Sequence, residues 1–368
     1  MKYKRYTLAE LAIIKYGKNQ KKVQSDTGKI PVLGTGGLMG YATTFLYDKP
    51  SVLIGRKGTI GKVKYVEQPF WTVDTLFYTI VNTKLVIPKY LYYVMSLIDL
   101  NNYNEGTTIP SLRTETLNRL EFDIPSLEDQ EKILSFLIPI DEKIDINNKI
   151  NNNLEQQAQA IFSNEFLTLE TLPDGWKQAS LIDIADYLNG LAMQKYRPTV
   201  DETGIPVLKI KELRQGCCDD NSELCSPNIK SEYIIHDGDV IFSWSGSLLV
   251  DFWCGGICGL NQHLFKVTSN KFDKWFYYVW TKHHLDRFIA VAADKATTMG
   301  HIKRDELSKA AVLIPTEADY KRIEALLQPI YDLIIANRIE NKKLAETRDT
   351  LLPKLMSGEI DISEVDYE

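Results

Sequence analysis

The chain is written twice, and no other feature narrows its possible folds as far. "GTTIPSLRTETL" (106–117) returns as "ATTMGHIKRDEL" (296–307), "FDIPSLEDQEKI" (122–133) as "VLIPTEADYKRI" (312–323), and "IPIDEKIDINNKINNNL" (138–154) as "QPIYDLIIANRIENKKL" (328–344). The register never slips: Thr107 and Thr297, Pro125 and Pro315, Pro139 and Pro329, and Leu154 and Leu344 all lie 190 residues apart. Upstream the match continues with gaps. "TGKIPVLGTG" (27–36) answers "TGIPVLKIKE" (203–212), "SVLIGRKGT" (51–59) answers "DVIFSWSGS" (239–247), and "KYLYYVM" (89–95) answers "KWFYYVW" (274–280). Two copies are too few for a solenoid, which needs at least three stacked repeats. The pattern predicts pseudo-twofold symmetry, with a variable globular part and a helical part of fixed length in each half.

The helical parts follow a heptad. Ile133, Leu137, Ile140, Ile144, Asn147, Asn151, Leu154, Ala158 and Ile161 alternate at spacings of four and three. Ile323, Leu327, Ile330, Ile334, Asn337, Asn341, Leu344, Arg348 and Leu351 repeat those spacings. This is an a/d seam with asparagine at the same two steps in each copy, a device that weakens a coiled coil while fixing its register and partner. Two amphipathic helices on separate cores would show the same apolar stripe, but the matched asparagines favour mutual pairing. Pro139 and Pro329 fall inside the pattern and are expected to kink each helix or start it anew. From Ile140 to Ile161 the seam is about 33 Å long.

The globular parts read as mixed β structure with short helices. Runs such as "VKYVEQPFWTV" and "DVIFSWSG" alternate with Gly- and Asn-rich turns. Helices are expected near 88–99 and 273–290, where aromatics recur at helical spacing. "LPDGWKQASLIDIA" (172–185) opens the second half with turn chemistry and corresponds to "YTLAELAII" (6–14). The resulting class is α+β: two mixed α/β domains in pseudo-twofold repeat, joined by two long helices that pair as a coiled coil. The expected divisions are 1–125, 126–170, 171–315 and 316–368, the last ending in an acidic tail.

Composition fits an ordinary water-exposed globular protein, with 44% hydrophobic and 25% charged residues. No apolar run reaches the length of a membrane span, and "MKYKRYTLAEL" lacks the core of a signal peptide, so a cytoplasmic protein with reduced thiols is expected. The net charge of −6 seats mostly in "EIDISEVDYE", which holds five acids and no base. Residues 1–22 carry seven Lys or Arg against Glu10 alone, and residues 49–64 carry five with no acid. Basic patches of this kind suit nucleic acid even on an acidic chain, although a solvated lysine-rich face has the same composition.

The stretch "IGRKGTIGKV" (54–63) invites a phosphate-loop reading that its spacing denies. A Walker loop needs Ser or Thr after Gly-Lys and a glycine five positions before Gly61; here Val63 follows Lys62, and Arg56 stands in the glycine position. The G-x-G-x-x-G dinucleotide fingerprint is missing from the stretch as well. Adenine or cytosine amino-methylation is associated with N/D-P-P-Y/F, and none of the fourteen prolines adjoins another; a glycine-rich F-x-G-x-G cofactor loop is also missing. Zinc would have to use Cys217, Cys218, Cys225, Cys254 and Cys258, with His236 and His263 nearby. Their spacings form no pair of knuckles, and buried free thiols explain them better. Asp141, Glu142 and Lys143 suggest a nuclease cluster but sit on the heptad stripe, where acid–base pairs are ordinary helix surface. No catalytic residue and no metal site is expected.

What remains are polar, basic and aromatic residues on the loops of two related domains. In the first they are Lys18, Lys21, Lys22, Thr35, Arg56, Lys57, Lys62, Lys64, Thr107, Thr108 and Arg113. In the second they are Gln194, Lys195, Arg197, Lys209, Lys211, Ser243, Trp244, Ser245, Asn261, Gln262, Lys303 and Arg304. Arg and Lys suit guanine edges and phosphates, and Asn and Gln suit adenine edges. Any one of them alone reads equally as solvated surface; as groups they point to DNA.

The sequence resembles the DNA-specificity subunit of type I restriction–modification systems over essentially its full length. The resemblance rests on "GTTIPSL" (106–112) leading into "FDIPSLEDQEKI" (122–133), on "IDEKIDINNKINNNLEQQAQAIF" (140–162), and on the close "LLPKLMSGEIDI" (351–362). It implies a target-recognition domain in each half, each reading one part of a bipartite site on double-stranded DNA, and an antiparallel coiled coil that separates the domains and docks two modification subunits. Those partners would carry S-adenosylmethionine and methylate adenine at N6, while restriction subunits would add ATP- and Mg-dependent translocation and cleavage. The chain itself would hold no cofactor. One departure stands out: Thr107-Thr108-Ile109-Pro110 becomes Thr297-Thr298-Met299-Gly300, so the two turns differ. Two further readings stay open: a specificity chain for a fused restriction–methylation enzyme, and a metal- or nucleotide-dependent enzyme with a duplicated fold.

Overall fold

The strand that opens each half closes on the strand that ends it, and a long helix follows directly. The structure, a computed structural model, describes residues 1–294 and 304–362. They divide into two compact units: Met1–Glu142 with Glu346–Glu368, and Lys143–Ala345.

In the first unit β1 (Lys4–Thr7) is followed by α1 (Leu8–Leu11) and β2 (Ala12–Tyr16). Thr7 and Glu10 form a capping box at the start of α1, with Glu10 Oε2 accepting from the Thr7 amide at 2.7 Å. Then come β3 (Ile30–Gly34), β4 (Gly37–Ala42), β5 (Ser51–Gly55), β6 (Val63–Val66), β7 (Trp71–Thr72) and β8 (Leu76–Val81). Helix α2 (Pro88–Ser96), with Pro88 in its first turn, leads to α3 (Thr114–Asn118) and β9 (Glu121–Ile124). Strand β9 pairs antiparallel with β1. Two sheets result, in the orders β2-β8-β5-β6 and β4-β3-β7. All five residues of β5 are buried, as befits an apolar strand hydrogen-bonded on both sides. Helix α4 (Leu127–Phe162) begins here, and its first turns bring Ile133, Leu134 and Leu137 into a core with Val52, Phe77 and Tyr90. Leu352, Leu355 and Met356, from the far end of the second long helix, complete that core.

The second unit repeats the plan. β10 (Lys177–Ser180), α5 (Leu181–Ile184) and β11 (Asp186–Asn189) open it, with Ser180 and Asp183 in the same capping box. β12 (Ile205–Leu208), α6 (Ile210–Gln215), β13 (Leu224–Cys225), β14 (Ile234–Ile235), β15 (Val240–Ser243), β16 (Leu249–Phe252), β17 (Cys258–Leu260) and β18 (Leu264–Thr268) follow. Helices α7 (Lys274–His283), α8 (Leu285–Asp294) and α9 (Arg304–Ser308) precede β19 (Ala311–Ile314), which pairs with β10, and then α10 (Glu317–Ser357). The sheet orders β11-β18-β15-β16 and β13-β12-β17-β14 match those of the first unit, with β14 added at one edge. An aromatic core fills this unit: Phe162 of α4 meets Trp280 edge-on at 5.1 Å, and Phe166, Phe252, Trp275, Phe276 and Tyr331 surround them.

The prolines neither start the helices anew nor end them. Pro139 lies inside α4, a single helix of 36 residues, and α10 runs unbroken for 41 residues through Pro329. Each proline costs its helix one backbone hydrogen bond, which the packed seam on both sides outweighs. In the second unit the helices run antiparallel. Asn147 Nδ2 donates to Asn341 Oδ1 at 2.8 Å, and Asn337 Nδ2 donates to Asn151 Oδ1 at 2.9 Å. Ile144, Leu154, Ile330, Ile334 and Leu344 are buried or half-buried along the same seam. Arg338 of α10 spans Glu155 of α4 and Asp251 of β16, at 2.9 and 2.7 Å. In the first unit the corresponding clamp is Arg348 on Asp141 at 2.9 Å, beside the half-buried Ile140; Asp141 also accepts from the Tyr93 hydroxyl at 2.5 Å.

One packed pair of imidazoles makes the second unit sensitive to pH. Burial lowers the pKa values of both His283 and His284 below the usual 6.5, and neutral His284 donates from Nε2 to the Ala311 carbonyl at 2.8 Å. The unfolded chain then takes up protons first as pH falls. Their contribution is complete above about pH 6.5 and is lost as pH drops from there through the folded-state values. His284→Gln, which keeps an N–H donor, is expected to flatten the fall in melting temperature between pH 7.5 and 5.5. An unchanged slope in differential scanning calorimetry would contradict this.

Candidate nucleic-acid interface

The loop after β5 and the "GTTIPSLR" loop are held together by backbone. Gly58 N donates to the Pro110 carbonyl at 2.9 Å, Leu112 N to the Arg56 carbonyl at 3.0 Å, and Lys57 bridges Ser111. Gly58 has φ +86°, and Gly246, its counterpart after β15, has φ +64°; a side chain would strain either turn. Gly106 is required for a different reason, because a Cβ there would lie 1.9 Å from the Ile109 carbonyl oxygen. The pairing gathers Arg56, Lys57, Thr107, Thr108 and Arg113 on one edge of the first unit, with Lys57, Thr107, Thr108 and Arg113 exposed. Arg113 is tied to Glu105 at 3.1 Å. Arg56 lies over the Tyr16 ring, 5.0 Å from its centroid, and donates to the Asp74 carbonyl at 2.9 Å.

The other basic residues of this unit serve elsewhere. Lys62 lines a separate cleft of about 380 Å³ with Tyr92, Tyr93 and Arg348, so the ten residues from Ile54 to Val63 face two places. Lys64 is half-buried and donates to the Thr35 carbonyl at 3.1 Å, which occupies both candidates in holding β6 to the β3–β4 turn. Lys18 is exposed just beyond β2, its backbone fixed by Thr72 and by the Trp71 indole, and Lys21 and Lys22 occupy an exposed turn.

In the second unit much of the positive charge is already neutralised. Glu223 receives both Lys209 at 2.5 Å and Arg197 at 3.2 Å, and Lys211 meets Asp219 at 3.0 Å. The lysine contacts hold both carboxyls below their ordinary pKa, so these groups stay ionised at neutral pH. Gln194 and Lys195 are exposed on a short 3-10 turn. Trp244 is half-buried, its indole N–H donating to Asn189 Oδ1 at 2.9 Å. Gln262 is half-buried beside His263. Arg304 donates to the Tyr187 carbonyl at 2.7 Å.

Three candidates have no exposed side chain. Ser243 is fully buried and donates to the Ser247 carbonyl, Ser245 is 1% exposed beside His263 Nδ1, and Asn261 is 5% exposed and accepts from the His263 amide. Ser243 and Ser245 flank Trp244 after β15, and Asn261 lies in the β17–β18 turn; their short polar groups satisfy buried turns instead of facing a ligand. Lys303 and the Thr297–Gly300 turn lie outside the described residues. Cys225, Cys254 and Cys258 are buried, and burial pushes the first two thiols up to about 11, whereas Cys217 is exposed and Cys218 half-buried. Among the described residues no three His, Cys, Asp or Glu side chains converge as a metal site would need. No described helix is long and apolar enough to cross a membrane.

Two similarly folded units with polar loops at equivalent strand ends define a duplicated recognition protein. The sequence profile of the type I restriction modification DNA specificity domain matches residues 1–156 and 173–346. The chain belongs to that family, and it is a DNA-recognition subunit of a type I restriction–modification complex. It is 27% identical to the type I restriction enzyme MjaIX specificity subunit of Methanocaldococcus jannaschii, over 87% of this chain and 80% of that one. To the HindI specificity subunit of Haemophilus influenzae it is 21% identical, over 82% and 84%. It shares its fold with the crystal structure of a type I S subunit from M. genitalium, at TM-score 0.61 and 16% identity over 96% of both chains.

Proposed function

We propose that the chain reads a bipartite DNA site, one half per unit, and carries no chemistry of its own. The observation that supports this most is the repetition of one sheet order and one pair of turn glycines with different side chains at the loop tips. A duplicated enzyme would be expected to keep its reactive groups in both copies. Here Arg56 and Lys57 give way to Trp244 and Ser245. Exposed Lys18, Lys21, Lys22 and Lys195 suit phosphates and would set register without naming a base. Modification subunits would supply S-adenosylmethionine and methylate adenine at N6, and restriction subunits would supply the ATP- and Mg-dependent steps, all in the cytoplasm. The long helices, with asparagines fixing their pairing, suit a spacer and docking element.

The test is reconstitution. The purified chain alone is expected to transfer no labelled methyl group to DNA, and addition of the modification subunits of its system is expected to start transfer. Methyl transfer by a preparation shown to be free of those subunits would sink the proposal.

A further inference from the structure

Ladder register aligns the two units more finely than sequence does. Tyr16 is the residue of β2 opposite Phe77 of β8, and Asn189 is the residue of β11 opposite Phe265 of β18. On the other side of β8 and β18, Ile54 faces Phe77 and Phe242 faces Phe265, so Arg56 and Trp244 stand at the same step beyond the strand. The next residue after Tyr16 and Asn189 is a glycine in both units. A Cβ on Gly17 would lie 2.0 Å from the Val73 carbonyl oxygen, and one on Gly190 would lie 2.2 Å from that of Asn261. The backbone is therefore held alike while the two side chains it presents are exchanged as a pair. Tyr16 carries Arg56 by ring contact, and Asn189 holds Trp244 by hydrogen bond. Tyr16 and Asn189 are both exposed.

We propose, resting on the DNA-reading function above, that these two pairs are specificity-determining residues, each reading one base pair of its half-site. With Asp74 and Tyr16 fixing its plane, Arg56 keeps N–H donors for the paired acceptors O6 and N7 of a guanine. Asn189 has a second lone pair on Oδ1 and both Nδ2 hydrogens beyond its bond to Trp244, the set that matches N6 and N7 of an adenine. Tyr16 and Trp244 are positioning residues. The contrast between the units then predicts a G·C pair in the first half-site and an A·T pair in the second.

The test uses the full chain produced with its modification subunits, and reads the methylated sites of the host genome. Arg56→Ala is expected to relax one G·C position, with discrimination there falling about 10-fold and the other half-site unchanged; Arg56→Lys, which loses the planar fork that stacks on Tyr16, is expected to relax the same position in the same direction. Arg56→Lys keeps the charge, so it separates base reading from phosphate attraction and guards against an alanine variant that fails to fold. Asn189→Ala is expected to relax one A·T position in the other half. Variants that methylate more weakly with every position still specified would overturn the assignment. If the unsubstituted chain gave no bipartite motif, the underlying DNA-reading function would fail first.

Discussion

Phe162→Ala is expected to destabilise the second unit by about 3–5 kcal/mol, the cost of truncating a fully buried phenylalanine whose surroundings cannot collapse. Phe162 is 1% exposed near the end of α4, and its ring touches Phe166, Trp280 and His283 at 5.1–5.7 Å. Phe166 lies in the turn that continues α4, and Trp280 and His283 lie in α7, so the void would be shared among rigid neighbours. For Lys143–Ala345 the loss amounts to a fall of roughly 10 °C in melting temperature. Five of the six tryptophans, Trp176, Trp244, Trp253, Trp275 and Trp280, belong to this unit, so intrinsic fluorescence reports its unfolding almost alone. A loss under 1 kcal/mol in urea titration would show that α4 is not anchored through this ring.

Inserting one heptad in each long helix, between Ile144 and Asp145 and between Lys343 and Leu344, is expected to lengthen the unread spacer while both half-sites keep their sequence. The insertions leave the Asp141–Arg348 ion pair and the Asn147–Asn341 hydrogen bond intact. Seven residues add about 10 Å of helix and preserve the a/d stripe. Against about 34 Å per turn of B-DNA, that is a few base pairs. Methylated sites with an unchanged spacer, or with altered half-sites, would contradict the spacer role of the helices.

The heptad was the most legible part of the fold, because a buried seam imposes its period wherever it runs: Ile133, Leu137, Asn147, Asn151, Ile323, Leu327, Ile334 and Asn337 are all buried. The helices expected near 88–99 and 273–290 are α2, ending at Ser96, and the pair α7 and α8. Of the two outcomes expected at the prolines, a fresh helix start does not occur: local propensity yields to packing, and α4 and α10 continue through Pro139 and Pro329. The candidate interface was legible only in part. Loop residue types mark Arg56 and Trp244, but Ser243 and Asn261 look alike in sequence and are buried by turns that only tertiary structure defines. Tyr16 and Asn189, on which the proposal above rests, do not stand out in the sequence because each ends a short strand, where alternation says which face a residue takes and nothing about what it carries. The one available signal was that a glycine follows each.

The central claim is that one chain reads two separated pieces of DNA, and it is tested most directly by mapping methylated adenines in a host that carries this chain with its modification subunits. The expected result is a single motif of two short defined sequences separated by a spacer of fixed length and no sequence preference, lost when this chain is deleted. A continuous motif, or one that persists without the chain, would contradict the account.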